Sequence, residues 1–144
     1  MLSEQQHKQR KQLLLDYRYL RMARIWSENS YCKRRQVGAL VVKDKMIISD
    51  GYNGTPSGFE NVCEDDNNIT KPYVLHAEAN AIISASRRDM VGGTIYLVGR
   101  DAQTGRLLND ATSCPMCRRM VINAGLSRVV IRRTKTEFDV VDVQ

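Results

Sequence analysis

Four side chains have the types and spacing for metal-assisted chemistry: His76, Glu78, Cys114 and Cys117. A Cys-x-x-Cys at the start of a helix puts both sulfurs on one first turn, where unpaired N–H groups and the positive dipole end favour thiolate. His76 opens a second helix-prone segment, so two helix N-termini would offer one imidazole and two thiolates to a single ion. Zn²⁺ suits that donor set, and three protein ligands leave one position for water, the arrangement of a catalytic zinc. Glu78 lies about 200° around a regular helix from His76, so it need not ligate. From a helix N-terminus it can still take a proton from a water at the metal and return it. Two blander readings stand beside this one. A thioredoxin-like redox pair leaves His76 and Glu78 without a role. A closed structural zinc needs a fourth ligand, and Cys32, Cys63 and His7 are the spare Cys/His candidates.

The elements that must position these residues follow from apolar periodicity. Leu15, Tyr19, Met22, Ala23 and Trp26 recur at helical spacing, which predicts an amphipathic helix over about 13–26 with that stripe in the core. Val37–Val42 and Met46–Ser49 read as strands joined at Lys43-Asp44-Lys45 by a tight hairpin. Gly51-Tyr-Asn-Gly-Thr-Pro-Ser-Gly58 then demands an irregular, well-specified loop, continued by polar residues to Pro72. An Ala-rich helix is expected from His76 to about Arg88, stopped by Gly92-Gly93. Thr94–Val98 is a third strand and residues 99–113 an excursion. Cys114–Ala124 is a helix closed by Gly125, Arg128–Ile131 a fourth strand, and 136–143 a short edge strand. Strands alternating with helices after an opening hairpin predict a layered α/β domain.

Composition narrows the class. With 144 residues, 42% hydrophobic and 26% charged, the chain fits one globular domain spanning 1–144, and disorder is excluded. The longest uncharged apolar runs, Leu13–Leu15 and Ala39–Val42, are far too short for a membrane helix. No secretory signal pattern opens the sequence, so a cytoplasmic location is expected, with the four cysteines as reduced thiols. The net charge of +6 resides in residues 1–35, which hold nine Lys/Arg against Glu4, Asp16 and Glu28. Such a segment is either a phosphate- or nucleic-acid-binding element or a solvated helix face.

His-x-Glu followed by Cys-x-x-Cys is a mark of zinc nucleobase deaminases. Tyr73-Val-Leu-His-Ala-Glu-Ala-Asn-Ala-Ile82 and Gly51-Tyr-Asn-Gly-Thr-Pro-Ser-Gly58, with Val37–Val42 and Ile122-Asn-Ala-Gly125, resemble the deoxycytidylate (dCMP) deaminase family of the cytidine deaminase superfamily. The likeness covers about 13–98 and 112–132. It implies a cytidine-deaminase-like three-layer α/β/α fold with a mixed sheet of about five strands. It further implies zinc on His76, Cys114 and Cys117, Glu78 as proton shuttle, and Asn53 and the backbone at Ala77 as substrate contacts. The expected reaction is hydrolytic deamination of dCMP to dUMP and ammonia, a step toward thymidylate. Family members are often hexamers regulated by dCTP, with Mg²⁺, and dTTP. A homo-oligomer is therefore expected, with Gly51, Tyr52, Asn53, Gly54, Pro56 and Gly58 as an effector loop or a pocket-shaping loop.

The sequence departs from the family pattern at three places. Ser113 stands where Pro usually precedes the first cysteine, and Pro115 lies inside the pair, a position the first helical turn accepts. Residues 99–110 look inserted, with Arg100 and Arg106 either meeting substrate phosphate at the pocket rim or lying on an exposed hairpin. Lys33 and Arg34, with the adjacent Arg35, are the other phosphate candidates. The chain also ends soon after its fourth strand. Cys32 and Cys63 lack convincing partners for a second, structural zinc and are expected to be buried or idle thiols. Two other functions compete with the nucleotide deaminase. A deaminase acting on tRNA or single-stranded DNA draws on the basic N-terminal segment, although 6% aromatic content gives few stacking platforms. A non-catalytic zinc-containing nucleotide- or nucleic-acid-binding module would have no use for Glu78.

Overall fold

Asp44 and Lys45 both take positive φ, 52° and 64°. That geometry matches the twist of a two-residue hairpin turn, and it joins strand β1 (Arg35–Lys43) to strand β2 (Met46–Tyr52). Around this hairpin the computed structural model, which describes residues 1–143, places helix α1 (Glu4–Ser27) before it. Helices α2 (Ala77–Ile83) and α3 (Arg87–Met90), strand β3 (Thr94–Asp101), helix α4 (Pro115–Asn123) and strands β4 (Arg128–Arg132) and β5 (Phe138–Asp142) follow. The sheet order is β2-β1-β3-β4-β5. Only β3 and β4 run parallel, joined through α4, and the other neighbours are antiparallel.

Strand alternation sends side chains to two cores. Ala39, Val41, Ile95, Leu97, Val129 and Ile131 face α2 and α4, with Ala77, Ala81 and Val121. Leu40, Val42, Tyr96, Val98 and Val130 face α1, where they meet Leu20 and Ala23. The result is the expected α/β/α sandwich on a mixed five-stranded sheet. Gly38 sets how closely α1 sits on β1, since a Cβ there would fall 2.0 Å from the Ala23 carbonyl oxygen.

Three expectations are corrected. The first helix begins at Glu4, a turn and more before Leu13, because Ser3 and Gln6 form a reciprocal capping box. Its buried stripe is Asp16, Leu20, Ala23 and Ser27, while Met22 and Trp26 are exposed. The helix is rotated relative to the apolar stripe because a buried polar network draws Asp16 inward. The helix expected over 76–88 ends at Ile83, with Ser84 as its C-cap, and Ser86 caps the short α3 by accepting from Asp89 N–H. Serine competes for backbone hydrogen bonds, which favours caps over helix interiors.

Asp16, 2% exposed, accepts from the Tyr96 hydroxyl at 2.5 Å, from Arg128 Nη2 at 2.9 Å and from Gln12 Nε2 at 2.9 Å. Burial, then the bond and charge of Asp16, push the Tyr96 phenol up; for Arg128 burial acts downward, but the bond and charge of Asp16, with Tyr96, outweigh it and raise the guanidinium. Removing one partner of such a network strands the others. Asp16→Ala should lower stability by roughly 3 kcal/mol, read as a shifted urea midpoint at unchanged slope. A loss below about 0.5 kcal/mol, the level of an ordinary surface change, would show that the network does not anchor α1.

Candidate metal and nucleotide site

Two helix starts converge on the α2/α4 side of the sheet. Cys114 is the N-cap of α4, with Pro115 inside the first turn, and its sulfur accepts from Cys117 N–H at 3.4 Å. His76 is the N-cap of α2 and uses no side-chain cap bond, so its ring is free to face the sulfurs. Cys117 Sγ lies 3.4 Å from His76 Nδ1. The donor atoms of His76, Cys114 and Cys117 all fall within 4.8 Å of one another. Tetrahedral zinc with two thiolates and one imidazole needs donor separations of about 3.5–3.8 Å, so the set fits with small side-chain adjustments.

Electrostatics point the same way. Cys117 is 2% exposed. Burial first, then the nearby Glu78 charge and hydrogen bonding with Cys114 and Glu78, push its thiol far up. A buried thiol and a buried carboxylate crowded against a second, half-buried thiol call for a cation. Glu78 itself is 4% exposed, in the first turn of α2.

Of these groups His76 and Glu78 open into a cavity of about 290 Å³, and the two sulfurs lie beside it on the far side of the imidazole. His76, Ala77 and Glu78 form one wall, and Asn53, Arg34 and Arg35 another. The first N–H groups of α2 have no intrahelical partner, which leaves the Ala77 backbone able to donate into the cavity. Asn53 lines the cavity, and its carboxamide also bridges β1, accepting from Val37 N–H at 2.8 Å and donating to the Arg35 carbonyl at 2.8 Å. Leu108, Ala111 and Thr112, toward the end of the 99–113 excursion, wall the cavity.

The excursion is smaller than its sequence suggests. Gly105, at φ +73°, closes a turn in which Gly105 N–H donates to the Asp101 carbonyl and Asp101 N–H to the Arg106 carbonyl. Arg100 turns away to Gln36 and Glu28, and Arg106 belongs to a different cavity, so neither lines this one. Lys33 contributes its backbone N–H to Glu64 and does not line the cavity either.

Gly51 and Gly54 have structural tasks. A Cβ on Gly51 would fall 2.5 Å from both Ala77 O and Ala81 N, so this glycine lets α2 seat against β2. Asn80 Nδ2 to the Tyr52 carbonyl and Ser49 Oγ to the Ala81 carbonyl, at 2.8 and 2.7 Å, hold that contact. Gly54 packs against the Tyr31 hydroxyl and pairs with Leu75, just before His76. Pro56 accepts from Phe59 N–H, and Gly58, at φ +88°, turns the loop in open space.

Cys32 and Cys63 are joined in a disulfide, Cα atoms 5.2 Å apart, which corrects their reading as idle thiols. Beside them the buried Glu64 carboxylate accepts from Lys33 and Arg34 N–H at 3.0–3.2 Å, and these contacts fasten the 53–75 segment to the entry of β1. Sequence reading missed Glu64, Thr70 and the part played by Arg35. Only the adjacency of Cys63 and Glu64 gave a signal. Arg34 Nη1 reaches Thr70 Oγ1 at 3.4 Å, and Arg35 pairs with Asp110 at 2.8 Å, half in solvent.

Residues 15–133 match the model of the cytidine and deoxycytidylate deaminase zinc-binding region. A deoxycytidylate deaminase of Mycobacterium phage D29 is 30% identical over 129 residues, covering 80% of this chain and 91% of the phage protein. The deoxycytidylate deaminase of Saccharomyces cerevisiae is 32% identical over 124 residues, 80% of this chain but 36% of the yeast protein. A solved dCMP deaminase from cyanophage S-TIM5, in complex with dCMP and dUMP, superposes with a TM-score of 0.66 at 38% identity, over 79% of this chain and 77% of that one. A cytidine deaminase from Burkholderia pseudomallei, 21% identical with a TM-score of 0.57 over 86% and 89% of the two chains, shares the fold.

Two outcomes test this geometry. Gly51→Ala should displace the start of α2, lowering metal occupancy measured by emission spectroscopy while far-UV dichroism is retained; unchanged occupancy would contradict the close-packing role. Cys63→Ser should cost about 3–4 kcal/mol, the loop entropy of a crosslink spanning 31 residues. Equal urea midpoints for the oxidised native chain and the variant would show that the crosslink does not constrain the loop.

Proposed function

The chain belongs to the cytidine and deoxycytidylate deaminase family, and on that premise we propose that it deaminates dCMP hydrolytically to dUMP and ammonia with one zinc held by His76, Cys114 and Cys117. The observation that carries this reading is one cavity lined by His76, the buried Glu78 carboxylate, Arg34 and Arg35, with the Cys114 and Cys117 sulfurs within 4.8 Å of the His76 ring nitrogen. When bound there, the ion lowers the pKa of a water toward neutrality.

The rest falls to the protein. Glu78 accepts a proton from the attacking water and delivers it to ring N3 as the C4–O bond forms, so no charge is stranded on the ring. It then takes the proton of the new C4 hydroxyl and passes it to the exocyclic amine. The C4–N bond breaks, ammonia leaves and a C4 carbonyl remains. Both transfers occur where charge develops, and interactions concentrated there accelerate the reaction. Val74, Leu97 and Leu108 give the cavity an apolar floor that excludes bulk water from this exchange. In this reading Asn53 and the Ala77 N–H hold the sugar and the pyrimidine edge. Arg34 at the mouth is the 5′-phosphate contact, since its guanidinium lines the cavity without an ion pair among the described residues. Product dUMP supplies the substrate for a thymidylate-forming methylation.

The polymer-acting alternative finds less support. The basic residues of α1 lie on the sheet face opposite the cavity, where a strand bound to them would not lead its base to Glu78.

Ammonia release from dCMP, deoxycytidine and dCTP by zinc-loaded protein tests the assignment. Glu78→Gln should lower kcat on dCMP by 10²-fold or more, the order expected for general acid–base catalysis. Arg34→Ala should raise KM for dCMP by about 10- to 100-fold, as for a lost charge-assisted hydrogen bond, while deoxycytidine is unaffected. Full activity in Glu78→Gln, or an equal loss for both substrates in Arg34→Ala, would contradict the assigned roles.

A further inference from the structure

The nucleotide cavity holds a carboxylate that the deamination itself does not use. Glu64 lines it beside Arg34 and Arg35, yet is 5% exposed and enters no ion pair among the described residues. An acidic group in a cavity that takes a phosphate ester works against the ligand by charge. Here its oxygens are engaged by the main chain. Oε1 accepts from Lys33 N–H at 3.1 Å, and Oε2 accepts from Lys33 N–H at 3.0 Å and from Arg34 N–H at 3.2 Å. Two successive N–H groups that converge on one point make a small anion-binding concavity, and Glu64 fills it. A buried carboxylate held in this way is a fixed part of the wall, its charge spread over the amides.

What Glu64 holds is the base of Arg34. Lys33 and Arg34 form the bend between α1 and β1, and both residues are exposed. A long side chain on a bend has many rotamers, and ordering it on a ligand costs binding free energy. This bend is fastened on several sides. Immediately before it Cys32 is crosslinked to Cys63, the residue that precedes Glu64. Glu64 pairs through its backbone with Thr70, across a turn closed by Asn68, at φ 60°, and by the Asp65 carboxylate, which accepts from Asn67 and Ile69 N–H. That pairing sets the Thr70 hydroxyl beside the guanidinium, where it accepts from Arg34 Nη1 at 3.4 Å. Glu64 and Thr70 thus grip Arg34 at both ends, main chain and guanidinium.

We propose that Glu64 is a positioning residue for the phosphate end of the substrate: it fixes the main chain at Lys33 and Arg34, so that the Arg34 guanidinium, steered by Thr70, meets the 5′-phosphate already ordered. In this role Glu64 touches neither the phosphate nor the pyrimidine. By filling the amide concavity it also keeps an incoming phosphate off the main chain and leaves it to the guanidinium, whose fork suits phosphate oxygens. Arg35 has no such support, since it pairs with Asp110 and lies half in solvent. This role rests on the assignment of Arg34 to the 5′-phosphate and deepens it.

The test is steady-state ammonia release by the full-length, zinc-loaded protein on dCMP and on deoxycytidine, which lacks the phosphate. The quantity read is the ratio of the two kcat/KM values. Glu64→Ala should lower that ratio about 10-fold, through KM for dCMP, as expected for a misplaced binding group. Glu64→Gln, which keeps the shape and one acceptor oxygen, should recover part of the loss. Thr70→Val alters an exposed residue, leaves the buried carboxylate in place and should lower the ratio about 3-fold. Arg34→Ala/Glu64→Ala should be no worse than Arg34→Ala alone, because one residue acts through the other. Additive losses would give Glu64 an independent role and overturn the proposal. An equal loss on both substrates would make Glu64 a contact of the nucleoside or a purely structural group, and would overturn it too. So would an unchanged ratio in Glu64→Ala or, where that chain does not fold, in both Glu64→Gln and Thr70→Val. An unchanged ratio in Arg34→Ala would remove the phosphate assignment itself and the proposal with it. A lowered ratio in Arg34→Ala beside an unchanged one in Glu64→Ala would refute the positioning role alone.

Discussion

Three donors, with 37 residues of chain between His76 and Cys114, must arrive within 4.8 Å of one another, and the architecture is organised around that requirement. Helix α4 achieves its half locally. The N-cap sulfur, the proline in the first turn and the second sulfur three residues on are a self-contained helix start. Helix α2 achieves the other half only through its seat on β2, at the glycine where Cβ has no room. The parallel β3–β4 pair, crossed by α4, then fixes the two helix starts side by side at one end of the sheet. Displacing either start separates the imidazole from the thiolates.

Local signals were legible where the chain's own chemistry decides the outcome. Lys43-Asp44-Lys45 made a hairpin because its two central residues took the left-handed conformation. Cys114 began a helix and Gly125, at φ +79°, followed its end. His76, Cys114 and Cys117 stood out by type and spacing, and the fold brought them together. Ser3 and Gln6 also carried a readable capping box, which an apolar stripe beginning at Leu13 does not report.

What was not legible depends on partners distant in sequence. The inward face of α1 is set by Asp16 meeting Tyr96 and Arg128, 80 and 112 residues away, and no apolar periodicity reports a buried carboxylate. Cys32 and Cys63 pair across 31 residues through a loop whose path only the tertiary structure defines. Gly51 was read only as part of an effector or pocket-shaping loop, and its close contact with α2 depends on a helix some 26 residues further along the chain. Arg34 and Arg106 were equal phosphate candidates by charge, but strand β3 and its turn carry Arg106 to the other face.

The proposed chemistry depends on His76, Cys114 and Cys117 holding one metal ion with a position left open. Cobalt substitution reads it directly, by metal content and optical absorption of the purified chain. One Co²⁺ per chain is expected, with intense tetrahedral d–d bands, thiolate charge transfer scaled to two sulfurs, and a spectrum that shifts when an exogenous ligand such as cyanide is added. Substoichiometric cobalt, a spectrum without thiolate bands, or a closed four-ligand site indifferent to added ligand would contradict it.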